Sequence, residues 1–155
     1  MKSVSFKTLG CRLNQYETDA LVTDFHKAGY RVVDFSEQAD ITIVNTCTVT
    51  NQSDHKSRNL INQAASKNKN AIVVVTGCMA DNYKNDLESR ENITYVVDNK
   101  RKSQIVSLIE SHYNGEIVNP DSFAGNSFGF ETVDKSLHTR TFIKIQDGCD
   151  NFCTF

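Results

Sequence analysis

Cysteine carries whatever reactive chemistry this chain holds, and it occurs five times. Cys11, Cys47 and Cys78 lie 36 and 31 residues apart, too far for any local motif. Each, however, follows a run that reads as a strand: residues 4–9 lead to Gly10-Cys11, residues 41–44 to Asn45-Thr46-Cys47, and residues 71–75 to Thr76-Gly77-Cys78. In open parallel α/β sheets, ligand sites gather in the crevice outside the carboxyl ends of the strands. The three thiols are therefore expected to converge. Three thiolates leave one open position on a tetrahedral zinc, or one open iron on a 4Fe–4S cluster. An open position means chemistry rather than a structural clip. The plainer reading of any single cysteine is a small buried hydrophobe; three at equivalent strand ends favour the metal site.

Cys149 and Cys153 form a Cys-x-x-x-Cys pair inside Gln146-Asp147-Gly148-Cys149-Asp150-Asn151-Phe152-Cys153. On a helix that spacing puts both sulfurs on one face, but Asp-Gly and Asp-Asn read as loop. Two thiols do not complete a cluster site. Because the count of cysteines is odd, internal disulfides cannot close all of them. The first seven residues, Met1-Lys2-Ser3-Val4-Ser5-Phe6-Lys7, have no apolar segment of a secretory signal. A cytoplasmic address is expected, where cysteines more often serve metals or redox chemistry than disulfides.

The elements that must position these residues follow from periodicity. Residues 41–44 are β-branched throughout and 71–75 form a continuous apolar run, as in strands covered on both faces. Residues 14–28 carry Tyr16, Ala20, Leu21, Phe25 and Ala28 at helical spacing and stop at Gly29. Residues 54–68, 81–88 and 100–113 read as further helices, and 30–35 and 93–97 as short strands. Strands alternating with helices indicate an α/β fold, with an open, mostly parallel sheet flanked by helices in Rossmann- or flavodoxin-like layers. That domain is expected to span residues 1–113. Residues 114–138, rich in turn signals, read as a linker. The alternation Thr141-Phe142-Ile143-Lys144-Ile145 opens a new element within 139–155.

Composition agrees with a folded chain of this kind. The chain has 155 residues, 39% hydrophobic and 23% charged, with one proline; collagen-like, proline-rich and disordered classes are excluded. A formal charge of −2 gives no basic footprint for nucleic acid. No apolar run is long enough for a membrane helix. Neither Gly-x-x-x-x-Gly-Lys-[Ser/Thr] nor Gly-x-Gly-x-x-Gly occurs, so nothing asks for a nucleotide phosphate. Asn14 is expected to cap the first helix, with a role in orienting the first cysteine loop as the sharper option. His55-Lys56-Ser57-Arg58 reads as a solvated helix start before it reads as an RNA contact, although Arg58 could point toward the strand ends. His26, His112 and His138 lack the spacing of a ligand set.

Taken jointly, Thr8-Leu9-Gly10-Cys11-Arg12-Leu13-Asn14-Gln15-Tyr16-Glu17-Thr18-Asp19, Asn45-Thr46-Cys47-Thr48-Val49-Thr50 and Thr76-Gly77-Cys78 resemble the N-terminal domain of the radical S-adenosylmethionine methylthiotransferases. Residues 144–155 resemble the opening of the same family's radical domain. Within the family, Gly-Cys-Arg-Leu-Asn-Gln-Tyr-Glu is most similar to the branch that modifies threonylcarbamoyladenosine beside the tRNA anticodon. The resemblance implies that Cys11, Cys47 and Cys78 hold an auxiliary 4Fe–4S cluster whose open iron carries the sulfur to be transferred. It implies that Cys149 and Cys153 are the first two ligands of a Cys-x-x-x-Cys-x-x-Cys cluster that cleaves S-adenosylmethionine to a 5′-deoxyadenosyl radical. The implied partners are tRNA and an electron donor such as flavodoxin or ferredoxin, with no membrane. The motif's third cysteine would fall at position 156, after Phe155, so the resemblance implies a first strand of a truncated radical domain and a chain inactive by itself. Two other readings stand beside it: a free-standing α/β binding module whose three thiols hold zinc or nothing, and a sulfur carrier or redox protein with a low-pKa thiol.

Overall fold

The structure is a computed structural model that describes residues 1–48, 50–130, 133 and 142–146. Five strands, β1 (Ser3–Thr8), β2 (Arg31–Val33), β3 (Ile41–Thr46), β4 (Ile72–Gly77) and β5 (Tyr95–Val97), form one sheet in the order β2-β1-β3-β4-β5. Every pairing in it is parallel. The helices are α1 (Arg12–Lys27), α2 (Asn51–Lys67), α3 (Cys78–Asn82), α4 (Lys84–Glu88) and α5 (Ile105–Tyr113), with 3₁₀ turns at Asn99–Gln104 and Pro120–Ser122. The α/β class and the parallel sheet expected from the periodicity are both present.

Alternation along the strands sends side chains to two cores. Val4, Phe6, Ile41, Ile43, Ile72 and Val74 meet α1 and α5 through Leu21, Phe25, Ile105 and Leu108. Val44, Val73, Val75 and Val96 meet α2, α3 and α4 through Ile61, Ala64, Met79 and Leu87. All twelve residues of β3 and β4 are buried, as expected of strands covered on both faces.

Boundaries differ from the periodicity in an informative way. β3 and β4 run on through Asn45-Thr46 and Thr76-Gly77, because register pairing Asn45 with Thr76 and Thr46 with Gly77 keeps the ladder closed. Polar residues thus sit within strands, just below the cysteines. The helix expected at 81–88 is split in two at Tyr83, and that at 100–113 begins as the 3₁₀ turn. From the stretch expected to link domains, Val118, Phe123 and Phe130 lie against the α1/α5 core, and Arg101 Nε donates to the Phe123 carbonyl at 2.8 Å. Residues 142–146, where a new strand was expected, form no regular element.

Candidate functional site

In the strand order 2-1-3-4-5, the chain reverses direction across the sheet between β1 and β3. That reversal is where ligands settle in open α/β folds. Cys11 follows β1 and caps α1, Cys47 directly follows β3, and Cys78 directly follows β4 and opens α3. Three adjacent strands therefore deliver the three expected thiols to one edge of the sheet, at the switch point. The last pair of the β3–β4 ladder, Thr46 with Gly77, immediately precedes Cys47 and Cys78. All three are free thiols; Cys11 is exposed, Cys78 half-buried and Cys47 buried.

Two glycines make this approach possible. Gly10 has φ +103°, and a Cβ there would stand 2.6 Å from Cys47 Cβ and 2.9 Å from its Sγ. The loop carrying Cys11 is thus pressed directly onto Cys47. Gly77 has φ +96°, and a Cβ there would meet the Thr46 backbone, with N at 2.6 Å, and Asn45 Oδ1 at 2.7 Å. Only glycine fits either position.

Asn14 fastens the two loops together. Its buried Nδ2 donates to the Leu9 carbonyl at 2.9 Å and to the Thr46 carbonyl at 3.0 Å. The capping role expected for it is corrected: α1 starts at Arg12, so the N-cap position belongs to Cys11 and Asn14 already lies inside the helix. Across the sheet, Thr46 Oγ1 donates to the Thr76 carbonyl at 2.6 Å and accepts from Met79 N at 3.2 Å. Ser57 of α2 donates to the Cys47 carbonyl at 3.1 Å.

Below the thiols, on the α1/α5 face, the apolar core gives way to a polar layer. Thr8, Asn45 and Thr76 stand in one register row. Thr8 Oγ1 donates to Thr18 Oγ1 at 2.7 Å, and Asn45 Nδ2 donates to Thr18 Oγ1 and the Asn14 carbonyl at 3.1 and 3.0 Å. Thr76 Oγ1 is buried with no hydrogen-bond partner among the described residues. Glu17 and Lys102 complete the layer as an ion pair, and both are nearly or fully buried. The polar ends of β3 and β4 were visible in the sequence as interruptions of apolar runs. Glu17 and Lys102 were not, since 85 residues separate them.

Burial pushes the Cys78 thiol up from its ordinary pKa; the neighbouring Cys47, Cys11 and Asp81 push the same way, while Lys102 opposes them. A thiol raised in this manner is a poor free nucleophile, and the low-pKa carrier reading finds no support at Cys78. Among the described residues, no three His, Cys, Asp or Glu stand close enough to hold a single metal ion. Three thiolate donors are the chemistry that both zinc and iron–sulfur clusters take.

The remaining expectations resolve simply. Arg58 pairs with Asp54 at 3.2 Å and Asp86 at 3.1 Å, tying α2 to α4. His112 Nδ1 shares a 2.7 Å hydrogen bond with the Tyr95 hydroxyl. Cys149, Cys153 and His138 lie outside the described residues. No helix among the described residues is long and apolar enough to cross a membrane.

Fold and site together define a class: a parallel α/β domain with a cysteine set gathered at its switch point. The model of the uncharacterized protein family UPF0004 matches residues 3–98, and the chain belongs to that family. It is 40% identical to the threonylcarbamoyladenosine tRNA methylthiotransferase MtaB of Aquifex aeolicus over 98% of its own length and 38% of that protein's. Against MtaB of Bacillus subtilis the identity is 36% over the full chain, covering 35% of the relative. A tRNA-2-methylthio-N(6)-dimethylallyladenosine synthase of Bacteroides fragilis is 28% identical over 99% of the chain. The chain thus spans little more than a third of the length of these relatives. The resemblance to the methylthiotransferases, and to the threonylcarbamoyladenosine branch among them, is borne out over nearly the whole sequence.

Proposed function

We propose that this chain is the auxiliary-cluster portion of a tRNA methylthiotransferase that adds a methylthio group to C2 of N6-threonylcarbamoyladenosine beside the anticodon. One observation carries the reading: Cys11, Cys47 and Cys78 meet at the switch point, on loops that only Gly10 and Gly77 allow to come so close. When bound there, a 4Fe–4S cluster supplies an iron without a protein ligand, able to hold the sulfur for transfer. The chain's own part is ligation and enclosure. Cys47 anchors from the buried side, Cys11 closes from the exposed side, and Asn14 and Thr46 hold the loops at fixed separation.

In this reading residues 1–113 form the cluster domain, 114–138 connect it, and 139–155 begin a radical S-adenosylmethionine domain in which Cys149 and Cys153 are ligands. The enzyme works in the cytoplasm on tRNA, with S-adenosylmethionine as cosubstrate and flavodoxin or ferredoxin as electron source.

Anaerobic reconstitution with iron and sulfide tests the site. The chain should turn brown and hold about four irons, as one cubane requires. Cys11→Ala, Cys47→Ala and Cys78→Ala should each abolish the colour, and Cys149→Ala should keep it. A colourless wild-type chain that binds zinc tightly would instead establish the binding-module reading.

A further inference from the structure

Ligation leaves one buried charge unused. Lys102, on the 3₁₀ turn after β5, has a side chain 0% exposed. Its ammonium donates to the Glu17 carboxylate, and to Asn45 Oδ1 at 3.3 Å. Glu17 also accepts from Lys144 Nζ at 3.1 Å, so one buried carboxylate is divided between two ammonium groups. Taking a lysine charge out of water is costly even when it is paired, and an apolar pair often serves stability as well or better. Stability alone is therefore a weak account of Lys102.

Its position gives a better one. Lys102 does not sit in either apolar cluster but in the polar layer under the thiols. Asn45, which it contacts, lies two residues before Cys47. The same Asn45 oxygen packs so close to Gly77 Cα that a Cβ there would be 2.7 Å from it, and Cys78 is the next residue. One side chain therefore separates the ammonium from the backbone of the third thiol. In a buried site a charge acts at longer range than in water, so a fixed cation here offsets negative charge gathered at the thiol edge.

We infer that Lys102 is a positioning residue whose fixed charge balances the three thiolates, favouring the loaded site and easing its reduction. The inference rests on the cluster reading above. Glu17 sets how much of the lysine's charge reaches the thiols, so the two residues should act in opposite directions.

The experiment is a redox titration of the anaerobically reconstituted chain, wild type against Lys102→Met and Glu17→Gln, with folding checked by circular dichroism. Removing the cation should move the cluster's midpoint potential below the wild-type value. Removing the carboxylate should move it above. Midpoints that stay at the wild-type value, or shift in the same direction in both variants, overturn the inference and leave a salt bridge that only ties the 3₁₀ turn to α1. If Lys102→Met fails to fold, Glu17→Gln decides alone: an upward shift supports the inference and an unmoved midpoint refutes it. A wild-type chain that takes up no cluster refutes the inference together with the reading beneath it, whereas a loaded wild type with unmoved variants refutes the inference only.

Discussion

Replacing Gly77 by alanine, with Gly29→Ala as its control, isolates what holds the cysteine edge in shape. Both glycines have positive φ, +96° and +85°. Nothing lies within 4 Å of a Cβ placed on Gly29, whereas one on Gly77 runs into the Thr46 backbone and Asn45 Oδ1. For Gly29→Ala the left-handed backbone costs about 1–2 kcal/mol, offset by about 0.4–1 kcal/mol from the stiffer unfolded chain. Gly77 has ψ −166°, a region almost reserved for glycine that costs a side-chain-bearing residue about 1–3 kcal/mol. Displacing β3 backbone in a closed sheet adds a further cost of about 1–3 kcal/mol, typical of overpacking. The same offset of about 0.4–1 kcal/mol applies.

The two variants should therefore differ by about 2 kcal/mol, which for a chain of this size is about 4–8 °C in melting temperature. Thermal and urea unfolding of both variants beside wild type measure the gap. Iron uptake at a temperature where both remain folded adds a functional reading: Gly29→Ala should load fully, and Gly77→Ala should load poorly because the displaced backbone carries Thr46 into Cys47. Equal melting temperatures for the two variants would refute the claim that close packing, rather than backbone sign alone, demands glycine before Cys78.

Asn14 and Asp40 each offer a further test. Asn14→Ala strips the Leu9 and Thr46 carbonyls of a buried donor, so urea unfolding should show a loss of about 1–3 kcal/mol; a loss no larger than that of an ordinary surface change, about 0.5 kcal/mol, would remove Asn14 from the site's framework. Asp40 accepts from Ser3 N at 2.7 Å and Ser3 Oγ at 2.9 Å, and these bonds, the backbone one first, hold its carboxyl below the usual range. A depressed carboxyl stabilises the fold above its unfolded pKa of about 3.9 and loses that contribution as pH falls through the lower folded value. The stability difference between wild type and Asp40→Ala should accordingly be full at pH 7 and shrink in acid below pH about 4; a difference that stays constant to acid pH would contradict it.

The fold was legible because its signals are local. Residues 41–44 are all β-branched and residues 71–75 are all apolar, and such runs occur where helices cover a sheet on either side. The three cysteines were legible as a set only through their shared place after such runs. The strand ends were harder. Asn45-Thr46 and Thr76-Gly77 read as turn residues, yet pairing across β3 and β4 holds them in the ladder, where their polar groups hydrogen-bond to the neighbouring loops. Asn14 was misjudged for a related reason. A helix start in sequence is uncertain by a few residues, and here that shift moves Asn14 from a cap to an interior position from which it reaches two other loops.

Lys102 marks the point at which periodicity stops informing. It stands at the start of the stretch 100–113 that reads as a helix, and its neighbour Arg101 pairs with Asp98 and donates to the Phe123 carbonyl. Only the return of the chain after β5, which lays the 3₁₀ turn across the carboxyl ends of the strands, brings residue 102 over residues 17 and 45. No local pattern encodes that burial, because the partner carboxylate belongs to the first helix and the neighbouring amide to the third strand. The same crossing that hides the lysine from sequence also puts its charge under the switch point. A core stabilised by apolar contacts alone would have no use for a cation there, but three thiols that held the proposed cluster as thiolates would.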